Sequence, residues 1–179
     1  MTRIAQILVA AGKGARIGGN IPKQYRLIGG KPVLERTIEA TLSESRIEET
    51  VIVIAKDDSY ISNLIANYDN IRTVTGGATR TASVKAGLAA LIDNPPDLVL
   101  IHDGARPFVT TEVIGDVIEA LGDSPAVVPA LPIPDALKSL NGKSVDRDQL
   151  RRVQTPQGFH FDKIWPAFQA LDNLSLIHI

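Results

Sequence analysis

The residues best suited to chemistry lie within 8–24, LVAAGKGARIGGNIPKQ. An apolar run over residues 4–10 that stops at glycines predicts a buried strand delivering a loop at its carboxyl end, where open α/β sheets bind ligands. Ala10, Ala11, Gly12 and Gly14 carry little or no side chain, so a phosphate chain could lie directly on backbone N–H groups. Arg16 and Lys23 add positive charge. Together they form a candidate triphosphate cradle; the alternative is an ordinary glycine-rich strand-to-helix turn with solvated charges. Spacing excludes two commoner phosphate motifs. A dinucleotide fingerprint from Gly12 would need glycine at position 17, where Ile17 stands, and no G-x-x-x-x-G-K-[ST] run occurs.

Two further loops follow strand-like runs in the same sense, so a parallel sheet would bring them to the same edge. Residues 75–81, TGGATRT, open a helix, with Arg80 and Ser83 placed to hold a base or phosphate or simply to supply helix-start polarity. Residues 102–107, HDGARP, put Asp103 at a strand end. A carboxylate there suits Mg²⁺, which takes one or two carboxylates together with substrate phosphate oxygens; a helix cap or an ion pair with Arg106 is the alternative. His102 reads as a packed or hydrogen-bonded histidine, because no serine and carboxylate are spaced for a triad. His160 and His178 lack metal-ligand spacing.

Positioning these loops requires alternating strands and helices, and the chain supplies them. Buried strands are predicted over 51–55, 71–74 and 98–101, with helical spacing of apolar residues after Pro32, after Asp57 or Asp58, from Val84 to Ile92, from Thr110 or Thr111 to Leu121, and from Phe161 to Leu171. The fold class expected is α/β, a Rossmann-like mostly parallel sheet with helices on both faces. With 179 residues the chain is one domain with a real core. A net charge of −1 leaves no overall field for nucleic acid or an anionic membrane, so any phosphate site must be a local cluster. Without cysteine there is no disulfide framework, thiol nucleophile or thiolate-bound metal. No signal-peptide core or membrane-length apolar run is present, and a cytoplasmic location is expected.

Residues 132–156 break the rhythm. Two short runs flank Asn141-Gly142, a strong hairpin signal, and the segment carries Lys138, Lys143, Arg147, Arg151 and Arg152 with few large apolar residues. Such a segment is poorly suited to a core. It is expected to be an inserted β-hairpin arm projecting toward a partner or substrate.

The run AAGKGAR with PKQY, the GGATRTASV turn, the HDGARPF loop and the DR…TPQGF segment, in register over residues 4–161, together resemble the 2-C-methyl-D-erythritol 4-phosphate cytidylyltransferase family of non-mevalonate isoprenoid biosynthesis. The same motifs would occur in the cytidylyltransferase half of the fused enzyme that also carries a cyclodiphosphate synthase domain. The resemblance implies transfer of CMP from CTP to methylerythritol phosphate, with pyrophosphate leaving. It implies Arg16 and Lys23 as catalytic groups meeting charge at the α-phosphate, and Asp103 as ligand to Mg²⁺. Ala10, Ala11, Gly12, Gly14, Gly77, Arg80 and Ser83 would surround the nucleotide, with a backbone carbonyl near Ala10 or Gly77 reading the cytosine amine. Asp103 and Arg106 would bind substrate, and Arg147 would reach it from the arm of a second subunit in a homodimer.

Two departures from the family pattern stand out. Ala136 replaces a threonine expected to touch the substrate phosphate, and residues 173–179, NLSLIHI, do not resemble the family's continuation, so the chain is expected to be truncated, incomplete at the site and exposed on an apolar surface. The alternatives are another CDP-alditol or NDP-sugar nucleotidyltransferase, or a nucleotide-binding fragment without catalysis.

Overall fold

In a computed structural model of the chain, residues 2–12 and 21–170 are described. The first half runs through β1 (Ile4–Val9), the short strands β2 (Leu27–Ile28) and β3 (Lys31–Pro32), α1 (Val33–Leu42), β4 (Ile47–Ile54), α2 (Ile61–Ile65), β5 (Ile71–Thr75) and α3 (Arg80–Ala89). After it come β6 (Leu98–Asp103), α4 (Thr111–Ala120), β7 (Ala126–Val127), β8 (Ala130–Pro132), β9 (Leu137–Lys138), β10 (Ser144–Val145), β11 (Arg151–Val153), β12 (Gln157–His160) and α5 (Phe161–Ala170).

The main sheet has six strands in the order β5-β4-β1-β6-β12-β7. β1 pairs in parallel with both β4 and β6, and β4 with β5. Side chains alternate across a strand, and β1 shows the result: Ala5 and Ile7 join a core with α3 and α5, whereas Ile4 packs toward α4 and Leu8 toward α1. The sheet is thus covered on both faces and mostly parallel, as the alternating pattern predicts.

β12 is the exception, running antiparallel to both β6 and β7. An antiparallel pair can be joined by a hairpin excursion, while a parallel pair needs a crossover. The arm is that excursion, leaving from β7 and returning to β12. It is built of two antiparallel ladders, β8 with β11 and β9 with β10, and Gly142 at its turn has φ +81°, a conformation that suits glycine.

Prolines and an aspartate shape three element ends. β7 and β8 stand on either side of Pro129, which cannot donate to a ladder. Pro32 occupies the cap position before α1. Tyr60 is the residue at the start of α2, but Asp58 still serves that end, its Oδ1 accepting from the N–H groups of Tyr60 (3.0 Å) and Ile61 (3.1 Å).

Candidate active site

Backbone hydrogen bonds stitch the three predicted loops to neighbouring strand ends. Ala10 N–H donates to Val53 O (2.8 Å), Gly76 N–H to Ile54 O (2.8 Å), and Gly104 N–H to Val9 O (3.0 Å). Because β5, β4, β1 and β6 are adjacent and parallel, these loops leave the same edge of the sheet. Between them lies an open cleft of about 730 Å³.

Ala10, Ala11, Gly12, Lys23, Gly77, Arg80, Ser83, Asp103 and Arg106 all line this cleft. Gly14 and Arg16 lie outside the described residues. Arg147 does not line the cleft; it sits on the arm, where Nη1 donates to Pro134 O.

Glycine serves two different purposes here. A Cβ at Gly77 would stand 2.4 Å from Ala82 Cβ, and one at Gly76 2.7 Å from Ala11 Cβ, so the second turn has no room for a side chain. A Cβ at Gly12 would meet none of the described residues within 4 Å. Its missing side chain therefore leaves room on the cleft side. Thr79 caps α3, its side chain accepting from Ala82 N–H (3.0 Å). Ser83 is buried, and its hydroxyl donates to Thr79 O (2.9 Å), within 3.4 Å of Gly77 O. Ser83 thus shapes the turn from beneath.

Asp103 is the centre of the charged groups. Its Oδ1 accepts from Arg80 Nη2 (3.3 Å) and its Oδ2 from Arg106 Nε (2.9 Å), while Arg106 Nη1 donates to Gln154 Oε1 (2.7 Å). The predicted alternative of an Asp103–Arg106 ion pair is present in this state. These side chains are 30–43% exposed, so each pair is worth at most about 1 kcal/mol and a polyanion could redirect the arginines at small cost. Lys23, Arg80 and Arg106 against Asp103 leave the described cleft cationic.

Below Asp103, His102 is 1% exposed. Its Nε2 lies 3.1 Å from Arg106 O and its Nδ1 2.8 Å from Thr155 Oγ1. A carbonyl can only accept, so Nε2 carries a proton, and in a neutral ring Nδ1 then accepts from the threonine hydroxyl. Burial pushes the imidazole below its ordinary value, in keeping with a neutral ring. His102 is a support for the HDGARP loop.

Sequence reasoning left two contributors unassigned. Gln24 is buried in the cleft wall, where Nε2 donates to Ala10 O (2.7 Å); that carbonyl, one of two considered for reading a base, is already engaged. Thr155 joins His102 to the backbone N–H of Asp103, 3.5 Å away. Both lie inside the motifs PKQY and TPQGF, but nothing in residue type alone marked them.

Beside this cleft is a second hollow of about 640 Å³, more apolar, walled by Val113, Leu131 and Thr155 among others. Lys23, Ala105 and Arg106 line both. They form the shared wall.

Comparison with known proteins bears on the family and the fold. The family profile described as 2-C-methyl-D-erythritol 4-phosphate cytidylyltransferase matches residues 4–176. A bifunctional enzyme IspD/IspF of Chelativorans sp. is 46% identical over 176 residues, covering 93% of this chain and 43% of its own length. The chain thus spans less than half of that curated relative. Among solved structures, the 4-diphosphocytidyl-2C-methyl-D-erythritol synthase of Anaerococcus prevotii superposes with a TM-score of 0.85 at 34% identity, over 98% of this chain and 78% of that one. The 2-C-methyl-D-erythritol 4-phosphate cytidylyltransferase of Thermus thermophilus gives 0.76 at 34%, over 93% and 75%.

Proposed function

The chain belongs to the 2-C-methyl-D-erythritol 4-phosphate cytidylyltransferase family, and from that membership we propose that it transfers CMP from CTP to methylerythritol phosphate, releasing pyrophosphate, in non-mevalonate isoprenoid biosynthesis. The observation that carries this reading is the wall common to the two hollows. A nucleotide in the first and a phosphorylated acceptor in the second would meet at Lys23 and Arg106.

In-line displacement at the α-phosphorus needs alignment and neutralised charge more than a protein nucleophile. The acceptor's phosphate oxygen attacks, the bond to pyrophosphate breaks, and the electron pair leaves with pyrophosphate. Lys23 meets negative charge growing on the α-phosphate oxygens, which is worth most where it is held in advance. Arg80, paired with the partly exposed Asp103, and Arg106, paired with Asp103 and Gln154, would turn toward phosphate by exchanging those hydrogen bonds for phosphate contacts. Gly12 lets the triphosphate approach the backbone, and Ser83 supports the Gly76-Gly77 turn at the base. Arg16 has the same role as Lys23 by family likeness alone.

Among the described residues no three His, Cys, Asp or Glu side chains gather around one point. Asp103 fits Mg²⁺ as a single protein ligand, half-exposed and facing the cleft, with the rest of the shell drawn from phosphate oxygens and water. Bound there, the ion would neutralise the triphosphate. The exposed arm, with Arg147, supports a homodimer in which each arm serves the partner's acceptor hollow. A cytoplasmic enzyme is the reading consistent with soluble substrates; among the described residues no helix is long and apolar enough to cross a membrane.

The test is pyrophosphate release from CTP, UTP, GTP and ATP against methylerythritol phosphate, ribitol phosphate and sugar 1-phosphates. Turnover confined to CTP with methylerythritol phosphate is expected. Turnover only with another acceptor would reassign the substrate, and CTP binding without product would reduce the chain to a nucleotide-binding unit.

A further inference from the structure

We infer that Gln24 and Tyr25 are positioning residues that fix where Lys23 stands in the cleft; this rests on the assignment of Lys23 to the transferred phosphate. Lys23 opens a single 3₁₀ turn, Lys23–Tyr25, and is itself exposed. A lysine on a four-carbon stem at such a place would ordinarily sample many positions. The two residues after it are anchored to two different parts of the fold. Gln24, 3% exposed, reaches back to the end of β1, donating to Ala10 O (2.7 Å) beside the first loop. Tyr25, 6% exposed, reaches to the loop before α2: its hydroxyl donates to Asp58 Oδ2 (2.6 Å) and its ring stacks on Tyr60 with centroids 4.8 Å apart. Asp58 is in turn held by the N–H groups of Tyr60 and Ile61.

The chemistry of these anchors is poorly explained by stability alone. Gln24 Oε1 is buried without a hydrogen-bond partner among the described residues, which costs stability that an apolar side chain of the same shape would not. What the amide supplies in exchange is its tether to Ala10. The turn carrying Lys23 is therefore fastened both to the end of β1 in the cleft and to the loop before α2. Preorganisation of this kind lowers the cost of placing charge against a developing anion.

A double-mutant cycle tests it. Gln24→Met and Tyr25→Phe are made alone and together with Lys23→Ala, and kcat, KM for CTP, CTP affinity by calorimetry and thermal midpoint are measured for each. Gln24→Met is expected to lower kcat about tenfold, and Tyr25→Phe about threefold, with little change in midpoint. In the Lys23→Ala background both losses should vanish, because residues acting through one group are not additive. Tyr25→Phe keeps the ring and removes only the hydroxyl, so it reads the coupling even if Gln24→Met does not fold. Equal fold-losses with and without Lys23, or wild-type behaviour of both variants, would overturn the inference. If the unsubstituted chain binds CTP but releases no pyrophosphate, the transfer reaction falls, while the same cycle in CTP affinity still decides the positioning role.

Discussion

His102 and Thr155 stand 53 residues apart in sequence yet share a 2.8 Å hydrogen bond directly beneath Asp103. With the ring neutral and its proton on Nε2, the threonine hydroxyl donates this bond to Nδ1. Burial holds the folded-state value below the ordinary 6.5. The unfolded chain then binds more protons than the folded one between that depressed value and about 6.5, so stability rises with pH across the window. The contribution is complete above about 6.5 and is lost as pH falls toward the folded value. Thermal midpoints from pH 8 to pH 5 should therefore fall more steeply for the wild-type chain than for His102→Gln. Parallel slopes would show that this ring does not titrate in the window.

Lys23→Ala should depress kcat by about 10²–10³, in the range seen when one preorganised donor to a developing anion is removed, while the midpoint stays near wild type because the side chain is exposed. Steady-state kinetics beside a thermal melt separates the two. A large stability loss with little kinetic effect would remove the electrostatic argument.

Gly77→Ala and Gly12→Ala should fail in different ways. The first drives a methyl to 2.4 Å from Ala82 Cβ, so the turn must shift, at about 1–3 kcal/mol in urea denaturation. The second places a methyl in open space, so folding should be unaffected while CTP affinity drops. Unchanged affinity in Gly12→Ala would mean that the triphosphate does not lie against that loop.

Arg147→Ala should leave CTP binding alone and raise KM for the acceptor. Its side chain lies outside the described cleft, on an exposed arm. If the arm serves a partner subunit, sedimentation will give a dimer, and mixing Arg147→Ala with Lys23→Ala chains will restore part of the activity by pairing one intact site. A monomer with full activity would assign the arm some other role.

Apolar periodicity over residues 4–10, 51–55 and 98–101 and the glycines between strand and helix were enough to specify a covered parallel sheet with ligand loops at one edge. Those signals are local: a run of β-branched residues, a helical stripe and an Asn-Gly turn each act within a few residues. The charged residues of the motifs could be named for the same reason. What they touch could not. Asp103 facing two arginines, His102 resting on Thr155, Gln24 reaching Ala10 and the β12 strand running antiparallel depend on contacts across tens of residues. Such contacts carry no local signature, because any polar side chain of suitable length could make them until packing fixes the distances. The sequence by itself determined which chemistry this protein could perform and on what scaffold; only the tertiary structure decided which side chains present that chemistry and which hold it in place.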